Sequence, residues 1–122
     1  MGSGRTVLVI EDEALIAASL EFLLEDHGFQ VTGWATNSAE AIQLAEASTP
    51  SAAVVDIQLR GGDDGIALAA ELHRRFATEI VFVTAQTDPA TMERARHVAH
   101  RAYIKKPYDE QAIVKALSAP ES

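Results

Sequence analysis

The chain has 122 residues, the size of one domain able to bury a core, and no cysteine, which excludes disulfide staples, thiolate metal sites and a cysteine nucleophile. Asp and Glu outnumber Lys and Arg by 18 to 10, a net charge of −8, so the clustered cations that bind phosphate backbones are missing and nucleic acid is not expected as a direct partner. No apolar stretch reaches the ~20 residues of a membrane span. Met1 to Arg5 has no apolar region of signal-peptide type, so a cytoplasmic protein is expected, with residues 1–4 disordered or left over from cloning.

Strand-like and helix-like segments alternate along the chain. Thr6 to Ile10 is a short apolar run rich in β-branched residues, the pattern of a strand buried on both faces. Leu15 to His27 follows as a helix with Ile16, Leu20, Leu23 and Leu24 on one face, and Gly28 is a natural C-terminal cap. Gln30 to Ala35 is a weaker strand, expected at a sheet edge. Ser38 is expected to cap a short helix with Ala41, Ile42 and Ala45 inward, stopped by Pro50. Ala52 to Ile57 is the third strand, and Gly61-Gly62-Asp63-Asp64-Gly65 reads as a flexible turn. Leu68, Leu72 and Phe76 mark the next helix, and Glu79 to Thr84 the fourth strand. Asp88-Pro89 starts a helix carrying Met92, Ala95 and Ala99. Ala102 to Lys105 is the fifth strand, and Asp109 caps a last helix with Ile113 and Leu117 inward.

Five βα units without a linker or repeat predict one α/β domain over residues 5–118, with a parallel five-stranded sheet and helices on both faces. The flavodoxin-like order 2-1-3-4-5 is the most economical. It sets the first and third strands side by side, so that Glu11, Asp12 and Asp56 converge where open α/β sheets bind ligands. Thr84 and Lys106 follow the fourth and fifth strands.

These residue types suit one chemistry. Asp12 and Asp56 offer hard oxygen ligands, and Mg²⁺ accepts one or two carboxylates while keeping several waters. A carboxylate can attack phosphorus and form an acyl phosphate. Phosphoryl transfer needs little beyond alignment and charge neutralisation. A metal would cover one phosphoryl oxygen, the Lys106 ammonium a second, and the Thr84 hydroxyl or nearby backbone N–H groups a third. Taken singly, each residue has an ordinary reading. Thr84 could satisfy a strand-end backbone group, Lys106 could be an exposed lysine and Tyr103 half-buried packing. For Glu13, Asp63 and Asp64 the ordinary reading, solvated loop residues, is preferred. His27, His73, His97 and His100 read as surface helix residues and Trp34 as packing.

Ile10-Glu11-Asp12-Glu13, Val55-Asp56-Ile57, Val83-Thr84-Ala85 and Tyr103-Ile104-Lys105-Lys106-Pro107-Tyr108 resemble the signature segments of response-regulator receiver domains of two-component signalling. The likeness runs from Arg5 to Leu117. It implies a (βα)5 domain phosphorylated on one aspartate, with Mg²⁺ bound, by a histidine kinase or histidine phosphotransferase. By this resemblance Asp56 is the phosphoacceptor, while Glu11, Asp12, Asp56 and the Gln58 backbone carbonyl are the metal ligands. Lys106 faces the phosphoryl group, Thr84 is the switch hydroxyl and Tyr103 the switch aromatic. The resemblance further implies a cis Lys106–Pro107 bond, and Gln58 and Gln86 beside the attacking water. Output would pass through the face of helix four, strand five and helix five, which could also serve a homodimer. The domain would be a switch rather than an enzyme.

The sequence departs from the family pattern at three places. Glu11-Asp12 stands where many members have two aspartates, Arg60 to Gly65 replaces a proline-containing turn, and Ala99-His100 replaces Gly-Ala. Two rival readings are a receiver-like interaction module without phosphorylation and an aspartate-nucleophile phosphohydrolase. The second lacks a general acid, because Gln58 occupies the position two after Asp56. A flavin-binding electron carrier is poorer still, since an acidic first loop repels a flavin phosphate.

Overall fold

Residues Ala52 to Asp56 are buried along their whole length, which is what a central strand covered by helices on both faces requires. The computed structural model describes residues 5–59, 63–85 and 88–118. In chain order the elements are β1 (Thr6–Ile10), α1 (Ala14–Asp26), β2 (Gln30–Ala35), α2 (Ser38–Ser48), β3 (Ala52–Asp56), α3 (Gly65–Phe76), β4 (Glu79–Thr84), α4 (Pro89–Arg96), β5 (Ala102–Lys105) and α5 (Glu110–Ser118). The strands form one parallel sheet of order β2-β1-β3-β4-β5, as the alternation predicts.

Side-chain alternation divides the core in two. Leu8, Ile10, Ala53, Val55, Ile80 and Phe82 face one way, under α2, α3 and α4. Val7, Val9, Ala52, Val54, Val81 and Val83 face the other way, under α1 and α5. On β2 the alternation is interrupted. Val7 pairs with Val31 and Leu8 with Gly33, so Thr32 is an extra residue, a β-bulge. Val31 and Trp34, three apart, therefore share the α1 side, where Trp34 lies beside Val9.

Local signals set the helix ends. Gly28 adopts a φ of 88°, and α1 closes with Phe29 N–H donating to the Leu24 carbonyl and Gly28 N–H to that of Glu25. Asp88 caps α4 through Thr91 N–H, and Asp109 accepts from Gln111 N–H at the start of α5. Three expectations need correction. Asn37, not Ser38, caps α2, accepting from Glu40 N–H at 2.9 Å, and Ser38 is the first helical residue. Helix α4 stops at Arg96, so Ala99 lies beyond it. Strand β3 ends at Asp56 rather than Ile57.

Two arginines close the opposite rim of the sheet. Arg5 and Arg101 both pair with Glu79, and they donate to the carbonyls of Leu117 and Ala116 at the end of α5. Burial alone would push the Glu79 carboxyl up, but the guanidiniums of Arg101 and Arg5 outweigh it and hold the pKa low.

Gly65 is the tightest backbone approach near the site. A Cβ there would lie 2.4 Å from the Asp56 carbonyl oxygen and 2.8 Å from Ile57 Cα, both backbone atoms that cannot rotate away. Gly65→Ala should therefore destabilise the domain by about 1–3 kcal/mol, read as a lower urea midpoint. Gly33→Ala should cost less, because its Cβ meets only the Leu44 side chain, at 3.0 Å.

Candidate functional site

Parallel pairing brings the C-terminal strand ends to one edge. Glu11 and Asp12 leave β1, Asp56 ends β3, Thr84 ends β4 and Lys106 follows β5. Carboxylate oxygens of Glu11, Asp12 and Asp56 lie within 4.8 Å of one another. Glu11 and Asp56 are buried, 0% and 5% exposed, and Asp12 is half-buried. Such burial of like charges needs compensation.

Lys106 supplies it. Its Nζ donates to Glu11 Oε1 and to Asp56 Oδ2, both at 3.1 Å. Backbone donors take the remaining oxygens. Gln58 N–H reaches Asp56 Oδ1 at 3.0 Å, and Glu13 N–H reaches Glu11 Oε2 at 3.1 Å. Lys106 is itself held by its backbone N–H, which donates to the Thr84 carbonyl at 2.8 Å. The peptide bond after it, Lys106–Pro107, is cis as expected.

Burial pushes the Asp56 carboxyl above its usual range, and the Lys106 ammonium and Gln58 N–H only partly offset it. Burial raises Glu11 as well, against the Glu13 N–H and Lys106, with the Asp56 charge adding to the rise. For Lys106, burial works against the charge, but the Asp56 and Glu11 carboxylates win and the pKa rises. The donor set of three carboxylates is hard oxygen throughout, and it fits a divalent cation of the Mg²⁺ kind better than a soft metal.

Thr84 is fully buried and Tyr103 half-buried, its ring centroid 6.2 Å from that of Phe82. Gln58 is exposed, and it forms an isolated bridge with Asp64 that closes the loop after β3. Arg60 to Gly62 and Gln86 lie outside the described residues.

Glu13 is exposed, as expected, but its two acidic companions are not idle loop residues. Asp64 caps α3 through Ile66 and Ala67 N–H and pairs with Arg94 of α4. Asp63 accepts from Ser38 N–H at 2.9 Å, at the start of α2. The loop following Asp56 is thereby tied to both neighbouring helices. His100 also differs from its expected place. It lies after α4, half-buried, with its ring 5.3 Å from Phe82. Trp34 is 39% exposed and donates its indole N–H to the Glu11 carbonyl.

The response regulator receiver domain family matches residues 7–118, and the chain belongs to that family. The Transcriptional regulatory protein PdtaR of Mycobacterium tuberculosis is 34% identical over 113 residues, 93% of this chain and 55% of that protein. The Phyllosphere-induced regulator PhyR of Methylorubrum extorquens is 40% identical over 80 residues, 65% of this chain and 30% of that protein. The chain thus spans about half or less of the length of these curated relatives. Among solved structures, the signal receiver domain of a modulated diguanylate cyclase from Desulfovibrio desulfuricans G20 superposes with a TM-score of 0.86 at 35% identity, covering 93% of this chain and 90% of that one. A CheY-like receiver domain protein from Methanospirillum hungatei JF-1 gives 0.85 at 23% identity, covering 94% and 91%, a likeness of fold alone. Among the described residues no helix is long and apolar enough to cross a membrane.

The raised Asp56 pKa has a direct consequence for the metal-free protein. A carboxyl whose pKa is higher folded than unfolded adds stability below its unfolded value, and that stability is lost as pH rises through the folded value. Asp56→Asn removes this loss. Without divalent cations it should melt above wild type at neutral pH, with the gap closing below about pH 4, the ordinary aspartate range. Thermal melts of both proteins from pH 3 to 8 in EDTA check the sign.

Proposed function

We propose that the domain is a phosphorylation-controlled signalling switch with Asp56 as its phosphoacceptor. The observation that carries this reading is the place of Asp56, a buried carboxylate at the end of the central strand, 3.1 Å from the Lys106 ammonium and clustered with Glu11 and Asp12. A carboxylate oxygen of Asp56 attacks phosphorus of a phosphohistidine on a histidine kinase or histidine phosphotransferase. The O–P bond forms as the P–N bond breaks, and the electron pair returns to the donor imidazole.

Glu11, Asp12, Asp56 and the Gln58 carbonyl would hold Mg²⁺, which when bound offsets the negative charge of the transferring group. Lys106 turns from Glu11 and Asp56 towards a phosphoryl oxygen as a mobile point charge. Thr84 donates its hydroxyl to another oxygen only after transfer, and Tyr103 moves into the space this leaves. Phosphorylation then biases a two-state equilibrium of the loop after β4 and of the α4, β5 and α5 face. That face is the proposed output surface, for a partner protein or a second copy. The net charge of −8 supports a role without direct nucleic-acid contact, and a phosphoryl donor of the two-component kind places the domain's work in the cytoplasm.

The phosphohydrolase reading has no support, since exposed Gln58 offers no proton to a leaving group. The buried acidic cluster with its own lysine argues against an interaction module indifferent to phosphorylation.

Intact-mass analysis with Mg²⁺ and a small acyl-phosphate donor should add one hydroxylamine-labile phosphoryl group to wild type and none to Asp56→Asn. Equal labelling of the two would overturn the assignment. Mg²⁺ at 100 times its Kd should stabilise wild type by about 2.7 kcal/mol and leave Asp12→Ala unchanged in calorimetry. Lys106→Ala and Thr84→Ala should still accept the phosphoryl group but lose most of the beryllofluoride-induced NMR shifts between Thr84 and Tyr108. Wild-type shifts in Thr84→Ala would make Thr84 a structural residue only.

A further inference from the structure

We propose that Trp34, the single tryptophan of the chain, is a positioning residue for the divalent cation. Its indole N–H holds the Glu11 carbonyl and thereby fixes the bend from which Glu11 and Asp12 project. The inference rests on the metal-binding reading above.

The last paired residue of β1 is Ile10, opposite Ala35 on β2 and Val55 on β3. Glu11 therefore lies past the ladders with its carbonyl at the point where the strand turns into a loop. The residue is wholly buried, so each of its polar groups needs a partner. Glu11 N–H donates to the Ala35 carbonyl at 3.0 Å, and the two carboxylate oxygens accept from Glu13 N–H and Lys106. The carbonyl accepts from Trp34. An indole N–H can only donate, so it makes a one-way tether. The Thr32 bulge is what makes the tether reachable. It restores Trp34 to the α1 side of the sheet, in register with Val9, two residues before Glu11.

This contact bears on the metal as well as on the fold. Glu11, Asp12 and Glu13 are three like charges in a row, and repulsion favours their spreading apart. Mg²⁺ demands near-octahedral geometry with short, uniform distances, so a ligand pair free to drift binds it less well. Trp34 acts on Glu11 through the backbone carbonyl.

The test removes the donor, once with a smaller ring and once with the bicyclic shape kept. Two variants are made, Trp34→Phe and a replacement of Trp34 by 3-benzothienylalanine, in which sulfur stands for the N–H. Titration with MgCl₂ in a calorimeter should give a Kd about tenfold higher than wild type in both, the scale on which supporting contacts to metal ligands act. In wild type the emission of Trp34 should change saturably with MgCl₂ at the calorimetric Kd. A purely structural residue would lower the melting temperature and leave the Mg²⁺ Kd where it was, and that result overturns the proposal. If Trp34→Phe does not fold, the benzothienyl variant decides alone. Absence of Mg²⁺ binding in wild type would overturn the metal reading and this inference with it, whereas equal Kd values overturn only the role of Trp34.

Discussion

The Lys106 ammonium lies 3.1 Å from a carboxylate oxygen of Glu11 and 3.1 Å from one of Asp56, and the C-terminal edge of the sheet is arranged around those two contacts. Burial raises both carboxyls towards their neutral forms, while a single cation holds them towards their charged ones. Neither influence is removed by packing. A sheet that ended here in apolar residues would offer no oxygen to a cation. The opposite rim shows the alternative. Two guanidiniums on Glu79 leave that carboxylate oversupplied with donors, and it belongs to the scaffold. The acceptor-rich end is therefore where the molecule keeps unspent electrostatic potential.

Most of the fold was legible in the sequence because parallel strands buried on both faces leave continuous apolar runs. The runs ending at Ile10, Asp56 and Thr84 are each buried almost throughout. Once the runs alternate with helical periods, few topologies remain, and the strand order follows. The acidic cluster was legible for the same reason, since it consists of the residues that follow those runs. Its members did not have to be found by distance.

What escaped were contacts set by side-chain reach rather than by strand position. Asn37 and Ser38 are both good caps, and only the backbone angles decide that Asn37 takes the role. Asp63 and Asp64 look like solvated turn residues, yet they bond to the starts of two helices and to Arg94, thirty positions away. Helix α4 ends at Arg96, and His100, before β5, packs on Phe82 of β4 instead of continuing the helical period. The hydrogen bond of Trp34, a residue read as packing, was hidden for a different reason. A strict two-residue alternation hides a bulge, and without the bulge the indole has no path to Glu11.

The Thr32 bulge also matters to how these molecules behave towards one another. Strand β2 is an outer strand of the sheet, and the free side of an outer strand is a template for another chain. A bulge breaks the regular spacing of its N–H and C=O groups, so an incoming strand finds no long run with which to register. The other outer strand, β5, is only four residues long and carries exposed Lys105. The net charge of −8 adds mutual repulsion, so neither outer strand is an easy template for uncontrolled strand pairing.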